Sequence, residues 1–210
     1  MKSKIYILLF CLLHGLLMHG QNSDGKVPII SKRDSLRLAK YKARGIYPLI
    51  KASKFSGVLP MDGITEMPDK TMKCKLLFSL TTGFIEGAKD KEKELNRGLA
   101  EIGRIINLHV AAGVPKENLD LVIVVHSKAT YALLTNGAYK KEFKTDNPNL
   151  EIISELEGAG AKMIACAQAM QFLEVDKKDL NPNVKISLAA KVALSTYQQK
   201  GYALFEIDEE

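Results

Sequence analysis

The chain has no tryptophan, and Phe, Tyr and Trp together make up 7% of its 210 residues. Its interior must therefore be built mainly from aliphatic side chains. Cysteine is scarce: of three, Cys11 lies in an apolar leader, which leaves Cys74 and Cys166 for thiol chemistry. No dense Lys/Arg block with interleaved aromatics occurs, and the 30 basic and 24 acidic residues are mixed along the chain, which argues against a nucleic-acid partner. No cluster of His, Cys, Asp and Glu has metal-ligand spacing and no phosphate-loop pattern is present, so neither a metal nor a cofactor is expected. Internal repeats and low-complexity tracts are absent. Beyond the leader, no apolar run is long enough to cross a bilayer.

What is present starts with residues 1–20, a basic head (Lys2, Lys4), an apolar centre and a small residue, Gly20, before Gln21. This is the pattern of a secretory signal peptide, with an uncleaved anchor as the alternative. The bulky Phe10 ahead of Cys11 argues against lipoprotein processing. Cleavage would remove two lysines and lower the formal net charge from +6 to +4. The mature protein is expected to be exported, periplasmic or secreted, and without a membrane span.

Residues 21–70 read as an extended N-terminal arm on the surface of a domain, covering an edge or reaching a neighbouring subunit. A short basic helix over Asp34–Arg44 is followed by Gly45, Pro48, Gly57, Pro60, Gly63 and Pro68 with isolated apolar residues between. Residues 71–210 read as one α/β domain. Strands are expected at Lys73–Leu80, Asp120–Val125, Ala161–Ala165, Val184–Ile186 and Tyr202–Ile207, the second a β-branched run typical of a strand buried on both faces. The helical periodicity predicts a long helix over Asp90–Ala112, with Leu95, Leu99, Ile102 and Ile106 on one face. One or two helical turns over Ala129–Leu134 close at Asn136-Gly137. Further helices run from an Asn147 cap to Glu157, over Gln168–Leu173, and from a Ser187 cap to Tyr197. The alternation gives an α/β fold of three layers, a mainly parallel sheet with helices on both faces.

In such a sheet, functional groups gather outside the carboxyl ends of the strands. Three ends are legible: Thr81-Thr82-Gly83, His126-Ser127 and Cys166-Ala167-Gln168. Cys166 ends a buried run and opens a helix, where unpaired N–H groups and the helix dipole favour a thiolate. Cys74 stands at the amino end of the first strand. A strand of about six residues spans roughly 20 Å, and a disulfide needs Cα atoms within about 7 Å. The two cysteines should therefore stay unpaired within one subunit.

The segments Asn118–His126, Asn147–Glu151, Gly160–Gln168 and Ser195–Tyr202 resemble, in that order, the motifs of the DsrE/DsrF-like family, across about residues 72–207. The resemblance implies a three-layer α/β domain assembling as a homo-oligomer, a trimer or hexamer. It also implies a cysteine that carries sulfur as a persulfide in the members that relay sulfur. Cys166 matches that cysteine, and His126 and Gln168 match neighbouring motif positions. The family's usual Cys-Gly-Gln is Cys166-Ala167-Gln168 here, and its usual His-Gly is His126-Ser127.

The leading functional reading is a sulfur carrier or sulfurtransferase-like protein that forms a persulfide on Cys166, with His126 as acid–base or hydrogen-bond partner. Gln168, Ser127, Thr82 and Gly83 are candidate ligand-binding residues on the same rim. A thiol- or sulfur-carrying protein would be the partner. The alternative is a non-catalytic, oligomeric small-ligand-binding protein of the cell envelope.

Overall fold

The computed structural model describes residues 32–84 and 89–208. The signal-peptide reading of residues 1–20 falls outside them. No helix among the described residues is long and apolar enough to cross a membrane. The strands are β1 (Cys74–Leu80), β2 (Leu119–Val125), β3 (Lys162–Cys166), β4 (Lys185–Ser187) and β5 (Ala203–Ile207). They form one sheet in the order β4-β3-β2-β1-β5, every pairing parallel. The helices are α1 (Lys32–Arg44), α2 (Arg97–Ala111), α3 (Asn136–Phe143), α4 (Leu150–Gly158), α5 (Ala167–Phe172) and α6 (Ala190–Gln199). The chain steps from β1 outward to β4 and then crosses back, through α6, to place β5 on the other side of β1.

Side-chain alternation divides the sheet between two cores. Leu76, Phe78, Leu80, Leu121, Ile123, Val125, Met163 and Ala165 face a large core closed by α2 and α4. Leu77, Val122, Val124, Ile164 and Cys166 face a smaller core closed by Ala190 and Ala193 of α6. Helices therefore cover both faces, in three layers. The two faces explain why β1 and β2 are near-continuous apolar runs rather than alternating ones.

Several helix boundaries differ from the sequence expectation, for reasons of backbone conformation or of side chains committed elsewhere. The helix expected from Asp90 begins at Arg97. Asp90 is left-handed (φ 54°) and Lys91–Lys93 form a 3₁₀ turn. The Asn96 side chain then takes the Leu99 N–H at 3.0 Å and starts α2 there. Asn136-Gly137 does not close a turn but opens α3, capped by Thr135. Asn147 is not the cap of α4, because its amide donates to the Ala132 and Leu134 carbonyls; Asn149 takes the cap position. Ser187 ends β4 instead of capping α6, whose N-cap is Ala189, a residue with no side-chain acceptor.

The segment before β1 is more deeply placed than a surface arm. Ile50 is fully buried and belongs to the large core. Asn107 of α2, also fully buried, accepts the Leu49 and Ile50 N–H groups at 2.9 Å and donates to the Ile50 and Ser56 carbonyls. Glu155 of α4 takes the Lys51 and Ala52 N–H groups. Gly103 makes the approach possible: a Cβ there would lie 2.8 Å from Ile50 and 2.7 Å from the Ser56 hydroxyl. Isolated apolar residues among turn formers conceal such a segment in the sequence, because the partners lie on α2 and α4. Beyond it, residues 59–67 are all exposed.

Candidate functional site

The parallel sheet brings the ends of β1, β2 and β3 to one rim, as the sequence topology requires. The two faces then divide the candidate residues. Cys166 pairs with Ser187 on β4 and shares its face with Ile164 and Val124, under α6. Cys74 sits at the opposite end of the sheet, and both cysteines are free and buried.

The Cys166 side chain makes no capping hydrogen bond to α5, the helix that follows it. Its sulfur instead accepts the N–H of Ala190 at 3.2 Å. Ala190 is the first residue of α6, and Ala189 ahead of it offers no capping side chain. One of the orphan donors of the α6 N-terminus is thus satisfied by the thiol, and the positive end of that helix faces the sulfur. The helix-terminus environment expected for Cys166 is present but comes from α6. The residue is 6% exposed, held among Val124, Ile164, Ala190 and Ala193.

His126 follows β2, one position beyond the Val125–Ala165 pair, so the next residues along the two strands are His126 and Cys166. Its Nε2 turns the other way and is hydrogen-bonded to Ser79 Oγ of β1 at 3.1 Å. No hydrogen bond joins His126 to Cys166 among the described residues. Burial holds the imidazole below its ordinary pKa, with the Glu206 carboxylate pulling in the opposite direction. Glu206 of β5 pairs with Ser79. Sequence reasoning missed Ser79 and Glu206. The available signal was a polar residue interrupting each apolar strand, Leu77-Phe78-Ser79-Leu80 and Leu204-Phe205-Glu206-Ile207.

The remaining candidates scatter. Ser127 and Gln168 are exposed, and Ser127 is left-handed (φ 55°), a conformation that glycine adopts at no steric cost. Thr82 is buried and donates its hydroxyl to the Ile207 carbonyl at 3.2 Å, tying β1 to β5. Gly83 lines a cleft on the α2–α4 side of the sheet, away from Cys166, together with Lys91, Asn96, Lys128 and Tyr131. That cleft also rests on residues the sequence did not single out, Asn96 and Asn149, both buried.

An all-parallel sheet with helices on both faces defines an α/β protein of three layers. Residues 84–207, more than half of the chain, match the model of the DsrE/DsrF-like family, and the chain belongs to that family. A solved structure of a protein of unknown function from Methanobacterium thermoautotrophicum is similar at 18% identity and a TM-score of 0.44, over 63% of this chain and 98% of that one. No curated protein matches the chain.

Proposed function

We propose that this protein carries sulfane sulfur as a persulfide on Cys166, in the envelope or outside the cell, and works as a homo-oligomer. The observation that carries the reading is the Ala190 N–H donated to the Cys166 sulfur from the N-terminus of α6. A backbone N–H aimed at the sulfur from the positive end of a helix is the kind of environment in which cysteines act as nucleophiles. Family membership supports it, since sulfur-relaying members use a cysteine at the matching position.

Loading is a thiol–disulfide-type exchange. The Cys166 thiolate attacks the outer sulfur of a donor persulfide, R–S–SH. A bond forms between the Cys166 sulfur and that outer sulfur, while the bond to the donor's inner sulfur breaks. The donor leaves as R–S⁻ with the electron pair and is protonated to the thiol; the Cys166 persulfide keeps or releases its own proton. No external oxidant or reductant is consumed. Unloading repeats the step, with an acceptor thiolate attacking the outer sulfur and Cys166 leaving. In this reading, the neutral His126 beside the rim accepts or returns the proton. Exposed Ser127 and Gln168 meet the incoming partner.

The test is intact mass after incubation with a small persulfide donor. The native protein and a Cys74→Ser variant are expected to gain one sulfur atom, and Cys166→Ser none. An adduct that survives Cys166→Ser, or no adduct on the native chain, rejects the proposal.

A further inference from the structure

We infer that the cleft on the α2–α4 side of the rim is a second, separate binding site, whose lining charge suits a small tetrahedral oxyanion, free or as the head of a phosphate monoester. The cleft is a shallow depression where the chain leaves β1 and enters α2.

Charge selects the ligand class. Among the described residues that border the cleft, Lys91, Arg97 and Lys128 face one acid, Glu94. The side-chain amines of Lys91 and Lys128 have no ion pair or hydrogen bond among the described residues. The Arg97 guanidinium rests on the Phe55 ring, 3.7 Å from its centroid. Cations converging on a concave wall concentrate anions there. Arg97 is also the first residue of α2, so the positive end of a 15-residue helix opens at the same place.

The floor is already rigid. The Asn96 N–H donates to Asn149 Oδ1 at 2.7 Å, and the Asn149 N–H and Nδ2 donate to Asn147 Oδ1 at 3.0 and 2.9 Å. Asn147 ends the chain on the Ala132 and Leu134 carbonyls, and Asn96 Nδ2 reaches the Thr82 carbonyl at 2.7 Å. These buried amides join β1, the 3₁₀ turn after β2, and the starts of α2 and α4. A ligand would meet a preorganised wall and lose little free energy in ordering it. Phe84 and Tyr131, stacked with centroids 6.2 Å apart, add an apolar side suited to the body of an ester.

This inference does not depend on the persulfide, because the cleft and Cys166 lie on opposite faces of the sheet. The test is calorimetric titration of the full chain at low ionic strength with inorganic phosphate and, separately, phenyl phosphate. Saturable binding at one site per chain is expected. Lys91→Gln and Lys128→Gln should each weaken it about tenfold, the loss of a charge-assisted hydrogen bond. Glu94→Gln should tighten it, and Lys162→Gln, remote from the cleft, should leave it unchanged. Tighter phenyl phosphate would identify an ester ligand; equal affinity would identify the free ion. No saturation by either up to about 10 mM, or an equal loss in Lys162→Gln, overturns the inference.

Discussion

Ser127 holds a left-handed backbone (φ 55°) immediately after His126. A side chain there meets the adjacent carbonyl, at a cost of about 1–2 kcal/mol that glycine avoids. Glycine in turn loses more chain entropy on folding, by roughly 0.5–1 kcal/mol. Ser127→Gly should therefore stabilise the protein by about 0.5–1 kcal/mol in urea unfolding; a destabilised variant would mean that the Ser127 hydroxyl contributes more than the strain costs. His126 makes the opposite kind of contribution. Its folded-state pKa lies below the unfolded value of about 6.5, because burial penalises the charged ring. Above about pH 6.5 both states are neutral there and the group adds no pH dependence. As pH falls, the unfolded chain takes the proton first, and stability is lost until the folded pKa is passed. His126→Gln should remove that component, so the difference in unfolding free energy between pH about 7.5 and pH about 5.5 should be smaller in the variant. An identical difference would show that His126 titrates normally. At this scale the sequence identified Cys166 and His126 because each ends an apolar run. It could not reveal the Ala190 donor, since that contact is fixed by how α6 packs across β3 and not by local spacing.

At the level of elements, the N-terminus of α6 links stability to thiol chemistry. Ala189 has extended backbone angles (φ −151°, ψ 151°) suited to a cap but no acceptor to offer. Ala189→Asp should satisfy orphan donors and stabilise the fold by about 1 kcal/mol. The added carboxylate would also compete for the same helix end and repel a neighbouring thiolate. Cys166 should then alkylate more slowly while the melting temperature rises; faster alkylation would contradict the view that α6 favours the charged sulfur. The other helix starts carry a related lesson. Asn147 and Ser187 are good caps by residue type, and Asp90 opens a periodic stretch, yet none of them caps a regular α-helix. Asn147 is committed to the Ala132 and Leu134 carbonyls, and the Ser187 hydroxyl donates to the Ala189 carbonyl at 3.1 Å. A local signal identifies which residues can cap. The partner that claims the side chain comes from elsewhere in the chain.

For the molecule as a whole, the segment ahead of β1 is part of the folding unit. Ile50 shares a core with β1 and β2, and Asn107 satisfies its N–H and its carbonyl. Amides of Leu49 and Ile50 should therefore exchange with solvent only through openings about as costly as those that expose β2. Exchange many orders of magnitude faster would make the segment an independent surface attachment. The parallel α/β architecture was legible because β-branched runs and helical periodicity report burial on two faces. The depth of Ile50 was not, because one isoleucine between Pro48 and Gly57 carries no periodicity. The partition of the rim was hidden as well: strand ends give a common edge, but which face each side chain takes follows from the register of five strands. That register leaves one helix, α6, packed against all five strands and over the sulfur. Such a cover behaves as a shutter: a reagent too large to slip beneath it meets Cys166 only when the shutter lifts. The frequency of lifting, rather than the abundance of reagent, then becomes the ceiling on how fast the sulfur can be modified.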